Sequence, residues 1–413
     1  MITPAHIFTD HAVLQAGRPV PVWGKTDAAA LTVSFADIAV PATVSGGRFK
    51  ATLPPMVAGT RGTLRISSGG EECICSDVAV GEVLLLCGQS NMKSPVFCTE
   101  YDESDLADDE DLRFFTVMRR PRNARDKMEW QFDGVRVEDT PWRTCTREGA
   151  LRFSAIGYHV ARRLRTALGV PVGVIDCSLG GTRIEGWLTP EAIEGDAVAM
   201  QGIDHWNFFL GKQYNEHDYL EKYAVWQEKM AAFIAARPDG LAFVRAHSLT
   251  DFLTHIDPSD FGQVGGTYHT FAPYTYRREM LSRILPYGVR AVLWYQGESN
   301  TVYPQIEHCK SYKRLFRALV REWRADFENP DLPFFTVRLA PFTVGLGLTP
   351  AWAEVQRAQT ELGLEERLVY TVSADDAAAP DIHPVNKKPT AMRLSDALLC
   401  ECYGKAGAWE RAE

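Results

Sequence analysis

Hydrophobic and polar positions follow two different rhythms along this chain. Up to about residue 79, short β-branched segments alternate apolar and polar residues, as in Leu31-Thr-Val-Ser-Phe35 and Gly62-Thr-Leu-Arg-Ile-Ser67. Turn signals recur between them at Ala16-Gly-Arg-Pro, Ser45-Gly-Gly and Ser68-Gly-Gly. That texture predicts a small all-β sandwich over residues 1–79. From residue 80 onward, unbroken apolar runs appear at 83–86, 170–175, 291–294, 334–339 and 368–372, with a further candidate strand at 112–117. Short apolar runs bounded by turn residues suit strands buried on both faces, as in a parallel sheet. Between them, Tyr312, Phe316, Leu319, Val320, Trp323 and Phe327 keep helical spacing, as do Ile156, Val160, Leu164 and Leu168. Strands alternating with helices predict an α/β unit over residues 80–413, a doubly wound parallel sheet with right-handed crossovers. Residues 195–275 break the rhythm. They are rich in aromatics (Trp206, Phe208, Phe209, Tyr214, Tyr219, Tyr223, Trp226), hold five of the ten histidines, and read as an insertion over the C-terminal edge of the sheet.

Composition narrows the function classes. A chain of 413 residues that is 46% apolar has ample material for a large core, in two units or one unit with insertions. A formal charge of −9 argues against nucleic-acid binding and gives no reason to expect attraction to an anionic membrane surface. No run approaches the ~18 apolar residues of a spanning helix. The start, Met-Ile-Thr-Pro-Ala-His-Ile-Phe, lacks a basic region followed by an apolar core. The expected location is therefore the cytoplasm, or outside the cell if a leader has been removed. Nine cysteines, with two Cys-x-Cys pairs and no Cys-x-x-Cys, fit reduced thiols better than a disulfide framework or a structural zinc. Cys87 and Cys177 lie within apolar runs and read as buried small hydrophobes.

Candidate chemistry lies in the loops after the apolar runs. The run 83–86 ends in Gly88-Gln-Ser-Asn-Met92, which puts a hydroxyl at the C-terminal edge of a strand, where ligands bind in open α/β sheets. A second reading makes Ser90 a helix cap. After Ile175 come Gly180-Gly-Thr182 and Trp187; after Leu293 comes Trp294-Tyr-Gln-Gly-Glu-Ser-Asn300; after Val372 comes a loop ending in Asp381-Ile-His-Pro384. Serine is a weak nucleophile at neutral pH. It needs a base within hydrogen-bond reach, and that base needs an acid to fix its tautomer. Ser90, His383 and Asp381 satisfy this if the sheet gathers the loops at one edge. The histidines of the insertion lack metal-ligand spacing, so no metal is expected.

Met92 replaces the second glycine of the Gly-x-Ser-x-Gly elbow, which separates the chain from α/β-hydrolases. The placing of Asp and His together in one C-terminal loop resembles the SGNH or GDSL-type hydrolases. Within them, Gly88–Met92, Gly180–Thr182 with Ile184, Glu185 and Trp187, Trp294–Asn300, and Asp381–Pro384 with Asn386 and Lys387 resemble the sialate O-acetylesterases. Asp10-His-Ala-Val-Leu-Gln15 and Pro21-Val-Trp-Gly24 look like that family's N-terminal sandwich, and the resemblance covers most of the chain except about 195–270.

The resemblance implies an SGNH-type, flavodoxin-like three-layer fold in which Ser90 is the nucleophile, His383 the base and Asp381 the orienting acid. The oxyanion hole it implies is the N–H groups of Ser90 and Gly181 plus a side-chain amide, from Gln296 or else Asn300. Gln89, Arg183, Glu298, Asn300 and Trp187 are candidate substrate contacts. Glu298 reads equally as a carboxylate tying two loops together, and Arg183 either pairs with a substrate carboxylate or is a solvated rim residue. Asp and His are two residues apart here rather than three, which leaves Asp375 or Asp376 as alternative acids. Lys93 and Arg183 stand where the family more often has an acid and a proline. The implied reaction is removal of an O-acetyl group from a carbohydrate, acetylated sialic acid of the 9-O-acetyl type being the first candidate, without a cofactor. Acetylxylan or another plant glycan is the alternative substrate, and an inactive sugar-binding protein the alternative class. Oligomeric state is not legible.

Overall fold

The computed structural model describes residues 1–117, 140–203, 232, 273–302, 306–405 and 409–412. The expected insertion at 195–275 lies for the most part outside these described residues.

The chain up to Gly88 forms nine strands: β1 (Ile2–Pro4), β2 (Val13–Gln15), β3 (Val20–Thr26), β4 (Thr32–Phe35), β5 (Ile38–Pro41), β6 (Thr43–Ser45), β7 (Arg48–Leu53), β8 (Arg61–Ser68) and β9 (Glu71–Gly88). Four of them make an antiparallel sheet in the order β1-β3-β7-β6. The alternation seen in the sequence is a physical one: Phe49, Ala51 and Leu53 of β7 are buried while Arg48 and Thr52 are exposed. In β4, Val33 and Phe35 are likewise the buried positions. β4 pairs with β5 and β8, and β8 pairs antiparallel with the first half of β9.

β9 is eighteen residues long and passes without a break through the position where the texture of the sequence changes. Its second half enters a parallel array with β10 (Asp109–Thr116), β12 (Val172–Ser178), β13 (Ala291–Tyr295), β14 (Phe334–Val337) and β15 (Val369–Val372). The order is β10-β12-β9-β13-β14-β15, and β11 (Thr140–Cys145) runs antiparallel on the outside of β10. The result is a mixed α/β architecture with one large mixed sheet of eleven strands. All five apolar runs of the sequence, and 112–117, fall on strands of this sheet. Every residue of β12 and β13 is buried, because helices cover the sheet.

Two of those helices are ones the spacing predicts. Ala155–Leu168 is capped by the Ser154 side chain, which accepts from the Gly157 N–H, and it ends at Gly169 in the left-handed conformation. It packs against Lys388–Tyr403 and β12. Tyr312–Asp326 buries Tyr312, Phe316, Leu319, Val320 and Trp323 and lies against Pro350–Glu365. Trp323 meets Trp294 of β13 edge to face at 5.8 Å.

Central β9 lies between β12 and β13, which connect to it from opposite directions along the chain, so the sheet has its topological switch point at the end of β9. Here the backbones approach closely. Gly88 has φ +132°, and a Cβ on it would lie 2.1 Å from the Tyr295 carbonyl oxygen. Gly88→Ala is therefore expected to lower stability by about 3 kcal/mol, strain and overpacking combined. Urea unfolding checks this; an unchanged midpoint would show that the strands can separate freely.

Candidate active site

Ser90 is the first residue after the Gly88-Gln89 turn and opens a four-residue helix, Ser90–Lys93. The cap residue of that helix is Gln89, and no side chain caps it. The capping reading of Ser90 is thus replaced by another partner: its Oγ lies 2.8 Å from Nε2 of His383. These two groups are 293 positions apart in sequence and come from the loops after β9 and β15. Ser90 and His383 are both half-buried, open enough for a substrate to reach.

Asp381 Oδ1 lies 3.5 Å from His383 Nδ1 and accepts the His383 backbone N–H at 2.8 Å. A short turn thus folds the carboxylate back beneath its own histidine. The alternative acids are engaged elsewhere: Asp375 pairs with Arg338, and Asp376 forms a two-pronged pair with Arg393 at 2.7 and 2.8 Å. Of the three aspartates considered, Asp381 is the one beside the imidazole.

The glycine loop after β12 faces the serine. A Cβ on Gly180 would lie 3.6 Å from the Ser90 Cβ, and Gly181 has φ +72°, a left-handed turn position. Thr182 is buried behind it and donates to the Leu179 carbonyl at 3.0 Å.

Several expected substrate contacts prove to be internal ties. Gln296 is fully buried, and its amide nitrogen faces three acceptors: Thr182 O at 3.0 Å, Asn300 Oδ1 at 2.7 Å and Gln89 Oε1 at 3.3 Å. Both of its N–H bonds are used, so in this conformation it offers none to an oxyanion. Asn300 is equally committed. It donates to Glu185 Oε2 at 2.9 Å and accepts from the Ile184 N–H and from Gln296. Gln89 Oε1 accepts from the Ser299 N–H at 3.2 Å and Gly297 N–H at 3.4 Å.

Arg183 is not a solvated rim residue. It is only 6% exposed, and its Nε donates to the Ser299 carbonyl. Trp187 is not placed to touch a substrate. It is wholly buried, donates to Thr182 Oγ1, and packs at 5.3 Å on Tyr276 and 6.1 Å on Trp294. Burial also pushes the Cys87 thiol well above its ordinary range, which removes it as a nucleophile.

Asn91, the residue after the serine, went unassigned in the sequence and is central in the structure. Its Nδ2 donates to Glu298 Oε1 at 2.5 Å and to the Ile382 carbonyl at 3.0 Å, and its Oδ1 accepts from Lys387 Nζ. Burial raises the Glu298 carboxyl above its usual range, opposed by the hydrogen bond from Asn91 and the charges of His383 and Lys387. Burial pushes the Lys387 ammonium down to about 7, opposed by Glu298 and Asp381. Of the two readings of Glu298, the loop-tying one matches these contacts. Lys93 pairs at 2.6 Å with buried Asp176 at the end of β12. Among the described residues no cluster of His, Cys, Asp and Glu could hold a metal ion.

Comparison with known proteins shows what the chain is similar to. Residues 263–398, which include the third and fourth loops, match the family of carbohydrate esterases described as sialic acid-specific acetylesterases. Sialate O-acetylesterases of Pongo abelii and Homo sapiens are each 24% identical to the chain over 354 residues, covering 80% of it. The chain spans 55% of the length of either relative. A carbohydrate acetylesterase from Xanthomonas citri, solved by crystallography, superposes with a TM-score of 0.71 at 26% identity, covering 99% of this chain and 77% of that one. The resemblance read from the four motifs is thereby borne out.

The buried lysine gives a pH-dependent signature. An unfolded lysine titrates near 10.5 and Lys387 near 7, so between those values the unfolded state holds a proton that the folded state has released. Stability from this group therefore rises with pH across that window. Urea unfolding of wild type and Lys387→Met should show wild type gaining relative stability from pH 7 to 10.5. A constant difference would mean that Lys387 titrates normally.

Proposed function

We propose that this protein, whose residues 263–398 match the sialic acid-specific family of carbohydrate esterases, is a serine esterase that removes O-acetyl groups from a carbohydrate. The observation that carries the reading is the 2.8 Å contact between Ser90 Oγ and His383 Nε2, with Asp381 behind the imidazole. In the reaction, Ser90 Oγ attacks the acetyl carbonyl carbon while Nε2 takes its proton. The sugar oxygen then leaves with that proton, and the acetyl group is bonded to Ser90. Water, deprotonated by the same nitrogen, attacks the acetyl-serine and releases acetate. The negative charge on the carbonyl oxygen is met by the backbone N–H groups of Ser90 and Gly181, each donor contributing roughly 3 kcal/mol to the transition state. The 3.5 Å gap between Asp381 and Nδ1 closes to a hydrogen bond as imidazolium forms.

The SGNH-type, three-layer reading of the fold is supported by the parallel order around β9 and by the placing of a histidine and an acid together in the loop after the last strand. The β-rich start, two antiparallel groups of strands with buried facing residues, is consistent with the sandwich. Acetylated sialic acid is the first substrate candidate, from the names of the mammalian relatives. A second reading, another acetylated glycan such as acetylxylan, is equally compatible with the Xanthomonas citri structure, a carbohydrate acetylesterase that aligns over nearly the whole chain. A purely sugar-binding role is disfavoured, since it would have no need of a serine hydrogen-bonded to a histidine.

Ser90→Ala is expected to abolish acetate release from p-nitrophenyl acetate while leaving the circular-dichroism spectrum unchanged; near-normal turnover would refute the nucleophile. Asp381→Asn is expected to lower kcat by about 10³-fold or more, and Asp375→Asn to leave it within a few-fold. The reverse order would make Asp375 the acid. Acetate release across a panel of O-acetylated sialic acids and acetylated xylan separates the two substrate readings.

A further inference from the structure

We propose that Asn91 is a positioning residue for His383, its amide held in one orientation by its buried hydrogen bonds to Glu298 and Lys387. The proposal rests on the reading of Ser90 and His383 as nucleophile and base.

Asn91 sits directly after the nucleophile in sequence, yet its side chain points to the histidine loop. One Nδ2 hydrogen reaches the carbonyl of Ile382, the residue before His383, at 3.0 Å. The other reaches Glu298 Oε1, and Oδ1 accepts from Lys387 Nζ. Nδ2 thus faces two oxygens, one of them a backbone carbonyl that can only accept, and Oδ1 faces the donor Lys387 Nζ, so turning the amide over would set its oxygen against the Ile382 carbonyl and its N–H groups against Lys387. The polarity of Asn91 is thus set from outside, and its remaining N–H is aimed at one backbone carbonyl. Three loops, those after β9, β13 and β15, meet at this amide.

All three side chains are buried, with 2% of Asn91, 1% of Glu298 and 3% of Lys387 exposed. Buried charges are a poor way to stabilise a fold, since apolar residues of similar volume usually do as well or better. Holding a direction is what such a pair does that apolar residues cannot. What it holds here is the carbonyl adjacent to the residue whose Nε2 must stay within hydrogen-bond reach of Ser90.

The test measures two rates on the full chain: turnover of p-nitrophenyl acetate, and labelling of Ser90 by a fluorophosphonate, which reports activation of the serine without sugar binding. Asn91→Ala is expected to slow both by about 10²-fold, the loss associated with small misplacement of a reacting group, with KM changed by no more than about threefold. The second arm separates positioning from packing and decides the matter if Asn91→Ala does not fold. Lys387→Met leaves Glu298 uncompensated and is expected to lower the urea midpoint. Glu298→Gln combined with Lys387→Met removes both charges, and is expected to regain the midpoint while both rates stay slow. Recovery of the rates along with stability would overturn the proposal, as would Asn91→Ala at wild-type rates. The esterase reading fails separately, by Ser90→Ala retaining turnover. If Ser90→Ala is inactive and Asn91→Ala is fast, positioning alone is wrong.

Discussion

Where β9 stops determines everything at the site. The strand lies between β12 and β13, and beyond Gly88 its neighbours' connections diverge. In open α/β sheets ligands bind at such a point, where crossovers leave in opposite directions, and the residue that stands there is Ser90. The approach of β9 to β13 is so close that no side chain fits at Gly88. This fixes the height at which the chain turns and therefore the depth of the serine hydroxyl. The base and acid come from the last strand of the same sheet, two strands beyond β13, so the sheet's rigidity is what makes a contact across 293 residues reproducible.

Around the crevice the protein is held by polar contacts rather than by apolar packing. Gln89, Gln296, Asn300, Glu185 and Arg183 link the loops after β9, β12 and β13, and each is nearly inaccessible. Buried amides and carboxylates tolerate few arrangements, because an unmade hydrogen bond in the interior costs about 1–3 kcal/mol. A network of that kind gives the loops one geometry, which suits a site where a nucleophile and base must meet. Below it, Trp187, Trp294 and Trp323 pack edge to face and form the apolar floor.

Much of this was legible in the sequence, for physical reasons. Strands buried on both faces must be apolar throughout, so β12 and β13 could be read as uninterrupted runs. Ser90, Asp381 and His383 stand out because the loops after such strands gather at one edge, and the residue types fit one chemistry. What could not be read depends on contacts between distant segments. Trp187, a candidate substrate contact, is covered by Trp294 and Tyr276, far along the chain. Arg183 and Gln296 are polar residues in loops, which normally suggests exposure; their burial follows only from the way the loops close over one another. The direction of an amide is invisible in a sequence, so the commitment of Gln296 to Thr182, and of Asn91 to Ile382, could not have been foreseen. The continuity of β9 through residue 79 is a similar case, since a change of texture marks what the strand packs against and not where it ends.

The most direct measurement is to identify the atom that holds the acetyl group during turnover. Rapid acid quenching of the protein with p-nitrophenyl acetate, followed by peptide mass spectrometry, should find a single acetyl group on the peptide containing Ser90 and located at that residue. Turnover with the acetyl group on another side chain, or with Ser90 unmodified at every quench time while acetate accumulates, would contradict the account.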